Sequence, residues 1–262
     1  TLSNGSVITI KAGESVGTVV VDTPANDVYN NGSTVSTTIT GATGGNFENL
    51  VPSTTPAVTT ITDSIDTTTV SLTATNTVTE GGQITYTATL TNPAQTPVTV
   101  TLSDGSVITI KAGESVGSVV VDTPPNDVYV NGSTVSTTIT GATGGNFENL
   151  VPNTTPAVTT ITDSIDTTTV TLTAPSEANE GGQITYTATL SNKAGTDVTL
   201  KLDNGSSITI KAGDTVGTVT VPAPSDDVFI DKSTQTVKIT DTAGGNFEKL
   251  EVAGDGATTT IN

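Results

Sequence analysis

The chain has 262 residues, 26 of them acidic against 8 lysines, for a net charge of −18, and it contains no Arg, His, Cys, Met or Trp. This excludes an imidazole base, a thiol nucleophile, disulfides and an ordinary zinc site. It also argues against nucleic acid as a partner, because phosphates are held by clustered cations and bases by aromatic platforms. No apolar run is long enough to insert in a membrane and no signal-peptide pattern opens the chain, which reads as an internal segment of something longer.

The sequence repeats at a period of 100. Residues 1–65 and 101–165 differ only at positions 4, 18, 25, 30 and 53, and Ile8–Gly13 returns at 108–113 and 208–213. Such tandem copies suit a protein whose property is length, not one built around a single pocket. Beta-branched residues dominate, which favours strands over helices.

In the complete middle copy the pattern predicts strands near 68–74, 83–91, 97–103, 106–111, 116–122, 133–140 and 157–162. Ile84, Tyr86, Ala88 and Leu90 alternate with Thr85, Thr87 and Thr89, the period-2 signature of a strand with one buried face. Asp104-Gly105 and Asn204-Gly205 mark tight hairpins, and Gly81-Gly82 and Ala112-Gly113 mark further turns. Seven short strands in about 100 residues predict an all-β fold of tandem immunoglobulin-like antiparallel sandwiches stacked end to end. The expected boundaries are 1–65, lacking its first two strands, then 66–165 and 166–262. The first segment is expected to be less ordered or to be completed by another chain. The junction 162–167 has no Gly or Pro and is expected to be stiff. Each repeat should add about 40 Å, from strands of 7–9 residues at about 3.3 Å each.

Strand parity sends the loop at Glu80, the loop at Asp122 to Asp127 and the exit at Asp163 and Asp166 to one pole of the middle copy. The Gly144–Glu148 loop falls at the other. The acidic exit of one copy should therefore face the Asn/Glu loop of the next. Calcium takes six to eight oxygens from carboxylates and carbonyls, and Asp/Asn/Gly loops supply them. The candidate ligands are Asp22, Asp27, Asp63, Asp66, Glu80, Asp122, Asp127, Asn146, Glu148, Asp163, Asp166, Glu180, Asp227, Asn246 and Glu248, and calcium is the expected bound ion. Glu80 and Asp127 are expected to share one neighbourhood, Glu180 and Asp227 another. The bland alternative is that acidic loops only keep the surface soluble.

Several other features take ordinary readings. Paired carboxylates without sugar-stacking aromatics do not make a glycosidase. Lys11, Lys111 and Lys211 read as surface residues. Phe47, Phe147, Phe247, Tyr86 and Tyr186 read as core or pole-plugging residues. Asn4-Gly5-Ser6 and Asn131-Gly132-Ser133 match a glycosylation acceptor, but turn chemistry accounts for them. No enzyme is expected.

Thr79–Tyr86, Asn126-Asp127-Val128-Tyr129, Gly144–Glu148 and Ile161–Asp166 together resemble the tandem immunoglobulin-like extender repeats of giant bacterial RTX adhesins, across the whole chain. A looser likeness to Calx-β domains also points to calcium at one pole. The resemblance implies type I secretion, folding in extracellular calcium at the surface of a Gram-negative cell, and a biofilm-adhesin extender holding ligand-binding domains, encoded elsewhere in the parent protein, away from the outer membrane. The implied partners are neighbouring repeats of the same chain, in a monomer. The alternative is an adhesive module whose sandwiches themselves bind a carbohydrate, a surface or a neighbouring copy.

Overall fold

The computed structural model describes residues 1–226 and 232–262. Among these residues all regular structure is strand, and no helix is long and apolar enough to cross a membrane. The first copy holds β1 (Ser33–Thr37) and β2 (Ala57–Ile61). The middle copy begins with β3 (Thr67–Ala74), β4 (Thr77–Thr79), β5 (Gln83–Leu90), β6 (Val98–Leu102) and β7 (Val107–Ile110). It continues with β8 (Val116–Asp122), β9 (Ser133–Thr137), β10 (Ile139–Gly144), β11 (Asn149–Pro152) and β12 (Ala157–Thr162). The third copy runs through β13 (Thr167–Thr173), β14 (Glu177–Ala178), β15 (Gln183–Leu190), β16 (Val198–Leu202) and β17 (Ser207–Ile210). It ends with β18 (Val216–Pro222), β19 (Ser233–Val237), β20 (Ile239–Gly244), β21 (Lys249–Ala253) and β22 (Ala257–Ile261).

The middle copy forms sheets ordered β11-β3-β5-β8, β4-β12-β9 and β10-β6-β7, and the third copy repeats the pattern as β21-β13-β15-β18, β14-β22-β19 and β20-β16-β17. Alternation decides which side chains are buried. Along β5, Ile84, Tyr86, Ala88 and Leu90 turn inward while the threonines between them face outward or lie half-buried. Tyr86, a large ring in a small sandwich, has its hydroxyl satisfied by Thr137 Oγ1 at 2.8 Å, which removes the penalty of burying it. In the third copy Val170, Ile184, Tyr186, Val198, Leu200, Ile208 and Ile210 form the equivalent core.

The seven expected strands are present and three more accompany them. The stretch expected as one strand over 133–140 is two, in different sheets. Thr138 leaves the ladder at that point, donating its amide to Ser103 Oγ and accepting the Ser103 amide, and a register shift follows at Ile139/Gly141. This bulge lets the chain cross from one sheet to the next. Two short additions pair in parallel: β11 with β3, and β4 with β12. β11 ends in Pro152, tolerated on an edge strand.

The chain divides into two compact units. The first comprises Thr1–Ala74, Thr85–Val119 and Ser136–Ala157, and the second comprises Thr75–Ile84, Val120–Val135 and Val158–Asn262. Each unit contains one repeat junction: residues 26–66 with 146–149 in the first, and residues 126–135 and 158–166 with 246–249 in the second.

Candidate metal centre

Each junction is built from the same parts. The loop Gly-Gly-Asn-Phe-Glu turns through consecutive left-handed residues, with φ of +99° at Gly144, +81° at Gly145 and +59° at Asn146, and +89°, +90° and +54° at 244, 245 and 246. Asn is among the few side chains that tolerate this region. The turn aims the following Phe and Glu at the Asp-Val-Tyr loop of the preceding copy.

In the second unit, Val130 N donates to Asn246 O and Glu248 N donates to Val128 O, both at 3.0 Å, closing a short antiparallel bridge at Tyr129/Phe247. The Tyr129 and Phe247 rings stack with centroids 5.9 Å apart, and the Tyr129 hydroxyl donates to Lys193 O at 2.8 Å. In the first unit, Tyr29 and Phe147 stack at 5.6 Å, with the Tyr29 hydroxyl on Pro93 O at 2.7 Å.

The carboxylates surround this bridge. One oxygen from each of Glu80, Asp163 and Glu248 lies within 4.8 Å of the others. Each side chain is held by a backbone amide: Glu80 Oε2 accepts from Asp127 N at 3.3 Å, Asp163 Oδ2 from Asn131 N at 3.2 Å, and Glu248 Oε2 from Asp166 N at 2.6 Å. In all three the second oxygen (Glu80 Oε1, Asp163 Oδ1, Glu248 Oε1) is buried with no hydrogen-bond partner. Glu80 is the most enclosed, only 8% exposed. The facing carboxyls of Glu80 and Asp163 can pair only by sharing a proton, and this pairing, with burial second, holds the Glu80 carboxyl above its ordinary value against the opposing pull of the Asp127 amide. Converging carboxylates with orphaned buried oxygens are high in energy unless a proton or a cation joins them. An all-oxygen donor set of this charge suits a hard divalent cation.

The other candidates make their own contacts within each junction or elsewhere in the repeats. Asp127 accepts from Tyr129 N at 2.7 Å and Asn131 Nδ2 at 2.9 Å, and Asp27 does the same with Tyr29 and Asn31. Asp166 accepts Asn126 Nδ2 and Asp66 accepts Asn26 Nδ2, each at 2.6 Å, with Ser164 Oγ and Ser64 Oγ bonded to the same Asn side chains. Asp63 receives the Asn31 and Gly32 amides, both at 2.9 Å. Glu148 Oε2 accepts from Asp66 N at 2.7 Å. Asn146 bonds Gln95 Oε1 and Asn30 O, and Asn246 bonds Val130 O, so these side chains tie the bridge. Asp122 receives Gln83 Nε2 at 2.9 Å, and Asp22 is exposed. Glu180 is half-buried, with its amide on Asn262 O. Asp227 lies outside the described residues. The aromatic stack was not anticipated as a junction element, although Tyr29, Tyr129, Phe147 and Phe247 recur at fixed spacing and were its available signal.

The fold and the junctions define a tandem array of all-β sandwich repeats. The chain belongs to the LapA-domain family, whose model matches residues 1–64, 66–164 and 166–262. A solved structure described as a tetra-tandem repeat in the extending region of a large adhesion protein is similar at 15% identity and a TM-score of 0.33, over 97% of this chain and 61% of that one. The chain thus spans less than two thirds of that solved chain. No curated protein matches the sequence.

Proposed function

We propose that the chain is an extender segment of a cell-surface biofilm adhesin, made of repeats bounded at 1–65, 66–165 and 166–262 and stiffened by calcium where repeats meet. Three tandem family matches support the array, and the sequence resemblance supports an RTX-type adhesin carried outside a Gram-negative cell by type I secretion. The observation that carries the calcium reading is the convergence of Glu80, Asp163 and Glu248 with an orphaned, buried oxygen on each. Glu80 and Asp163 come from the middle repeat and Glu248 from the next. An ion bound by all three therefore fixes one repeat against its neighbour as well as offsetting carboxylate repulsion. Binding in the sub-millimolar to millimolar range would match extracellular modules, which fill their sites outside the cell.

Small-angle scattering of the chain with calcium and with chelator tests this reading. The expected result is a longer maximum dimension and a narrower spread of conformations with calcium, lost in Glu80→Gln. An unchanged maximum dimension would remove the stiffening role.

A further inference from the structure

The middle and third copies each contain an Asn-Gly-Ser run, Asn131-Gly132-Ser133 and Asn204-Gly205-Ser206. Asn before Gly is the side chain most open to attack by its own backbone, because a glycine amide with no neighbouring Cβ can reach the Asn Cγ. The two pairs are held very differently. In the turn between β16 and β17, Gly205 N donates to Leu202 O at 3.1 Å, and Asn204 Oδ1 accepts from Ser206 N at 3.0 Å and Ser206 Oγ at 2.7 Å. The attacking nitrogen and the carbonyl it would attack are both tied into the hairpin. Asn131-Gly132 instead precedes β9, outside any strand and exposed to water. Asn131 Nδ2 donates to Asp127 Oδ2 at 2.9 Å and Asn131 N to Asp163 Oδ2 at 3.2 Å, but Gly132 N makes no hydrogen bond among the described residues.

We propose that Asn131 is a site of spontaneous deamidation, which turns a hydrogen-bond donor facing Asp127 into a carboxylate. Gly132 N bonds to Asn131 Cγ, the Cγ–Nδ2 bond breaks, and the side-chain NH2 leaves as ammonia with the glycine amide proton. Water then opens the cyclic imide at either of its C–N bonds. The product is a side-chain carboxylate or, with the chain rerouted through Cβ, an α-carboxylate; nothing is oxidised or reduced. In the side-chain product an oxygen stands where Nδ2 lay 2.9 Å from Asp127 Oδ2, and two carboxylate oxygens so placed repel unless a proton or a cation joins them. Asp127 Oδ1 also holds Tyr129 N at 2.7 Å, so the repulsion acts on the loop that carries the stacked ring. Glu80, Asp127 and Asn131 line one cavity of about 200 Å³, and the buried Glu80 Oε1 there has no partner. Deamidation adds a carboxylate to this wall. Resting on the calcium reading of the junction, the change makes the loop more dependent on the ion as the chain ages.

The test incubates the full chain in mildly alkaline buffer, folded and in urea, and follows deamidation at residues 131 and 204 by peptide mass spectrometry. In urea the two sites should react within about twofold of each other, since both are Asn-Gly-Ser. In the folded chain Asn131 should react roughly tenfold faster than Asn204, whose hairpin must open first. Asn204 reacting as fast as Asn131 in the folded chain, or Asn131 slowed as much as Asn204 by folding, would overturn the proposal. The effect on the loop is read in the full-length Asn131→Asp chain. Its Tyr129 amide should exchange roughly tenfold faster than wild type in chelator and return toward the wild-type rate with calcium. An unchanged Tyr129 amide in chelator would overturn the coupling to Asp127. A wild-type chain that binds no calcium would remove the calcium reading, whereas the ranking of Asn131 over Asn204 stands or falls without any ion.

Discussion

The two junctions share their stacking, bridging and capping and differ in one carboxylate. In the first unit, Tyr29 stacks on Phe147, Asn30 N donates to Asn146 O, and Glu148 receives the Asp66 amide; the second unit reproduces each contact with Tyr129, Phe247, Val130, Asn246, Glu248 and Asp166. Glu80 belongs to the second, and the position one period before it falls ahead of Thr1, so within residues 1–262 the three-carboxylate cluster is seen at the second junction. The comparison separates two mechanisms of joining repeats. A bridge of stacked rings and backbone hydrogen bonds needs no ion, whereas a three-carboxylate cluster is frustrated until something positive enters it. Three such groups taken from water at close range repel by several kcal/mol at an intermediate dielectric.

The largest expected effect therefore comes from Glu80. Calcium titration by calorimetry should find its tightest site in the second unit alone, and Glu80→Gln should weaken that site about tenfold or more, since charge count sets affinity at such sites. At an ion concentration about 100 times Kd, the wild-type chain should gain roughly 2.7 kcal/mol over the metal-free chain. Equal losses from Asp63→Asn and Glu80→Gln would show that the first junction binds as well and would erase the distinction.

Truncating the rings should affect both junctions alike. Tyr129→Ala and Tyr29→Ala each remove a stack and a hydroxyl bond to the backbone, at a cost of about 2 kcal/mol for local opening, read by hydrogen exchange at Val130 and Asn30. This cost should not depend on calcium in the first junction. A Tyr29→Ala effect that vanishes with chelator would mean that the bridge itself requires the ion.

Acidity separates the junctions in a third way. In the metal-free chain the Glu80 carboxyl is raised above its ordinary value, first by pairing with the facing Asp163 carboxyl and then by burial. The folded chain therefore holds a proton that the unfolded chain has already released. That stabilisation is fully present below the ordinary glutamate value and is lost as pH rises through the raised one. As pH rises above the ordinary glutamate value, the unfolding temperature of metal-free wild type should fall relative to Glu80→Gln. Saturating calcium should reverse the slope, because the ion competes with that proton. Parallel pH profiles for wild type and variant would contradict the assignment.

The sequence made some of this legible and left the rest out for physical reasons. Alternation located β5 and its inward Ile84, Tyr86, Ala88 and Leu90 because a strand with one buried face has a period of two over many residues. β11 escaped because four residues ending in Pro152 are too few to show a period, and its parallel partner lies more than 80 residues away. The break at Thr138 escaped because it depends on Ser103, in the turn after β6 and 35 residues away in sequence. Strand parity was enough to bring Glu80, Asp127 and Asp163 to one pole, since direction alternates whatever the details. Parity could not tell a carboxylate that converges, such as Glu80, from one already satisfied by its own turn, such as Asp127. That distinction rests on whether a backbone amide two residues on is free to donate to the side chain, as Tyr129 N is. The first copy gives the clearest lesson: with the sequence held nearly constant, Ile110 is wholly buried in β7, which pairs with β6, while Ile10 is half-exposed outside any strand.

The smallest expected effect lies beside the cluster. Asp166 accepts the Asn126 amide at 2.6 Å and Asp66 accepts that of Asn26 at the same distance, so the two carboxylates tie their linkers to the preceding Asn-Asp-Val-Tyr loops in the same way. Both side chains are exposed to some degree, and water can replace part of what each loses. Asp166→Ala and Asp66→Ala should each cost about 1 kcal/mol of local stability, roughly one charge-assisted hydrogen bond. The sandwiches should stay folded, because neither residue touches a core. Their backbone amides still cap Glu248 and Glu148 after substitution, so the carboxylate they orient keeps its aim, and calcium affinity at the second junction should change less than threefold. Hydrogen exchange across residues 162–167, compared with residues 62–67, reads the loosening directly. A tenfold loss of calcium affinity in Asp166→Ala would instead make its side chain a ligand, and the two junctions would then differ by more than Glu80.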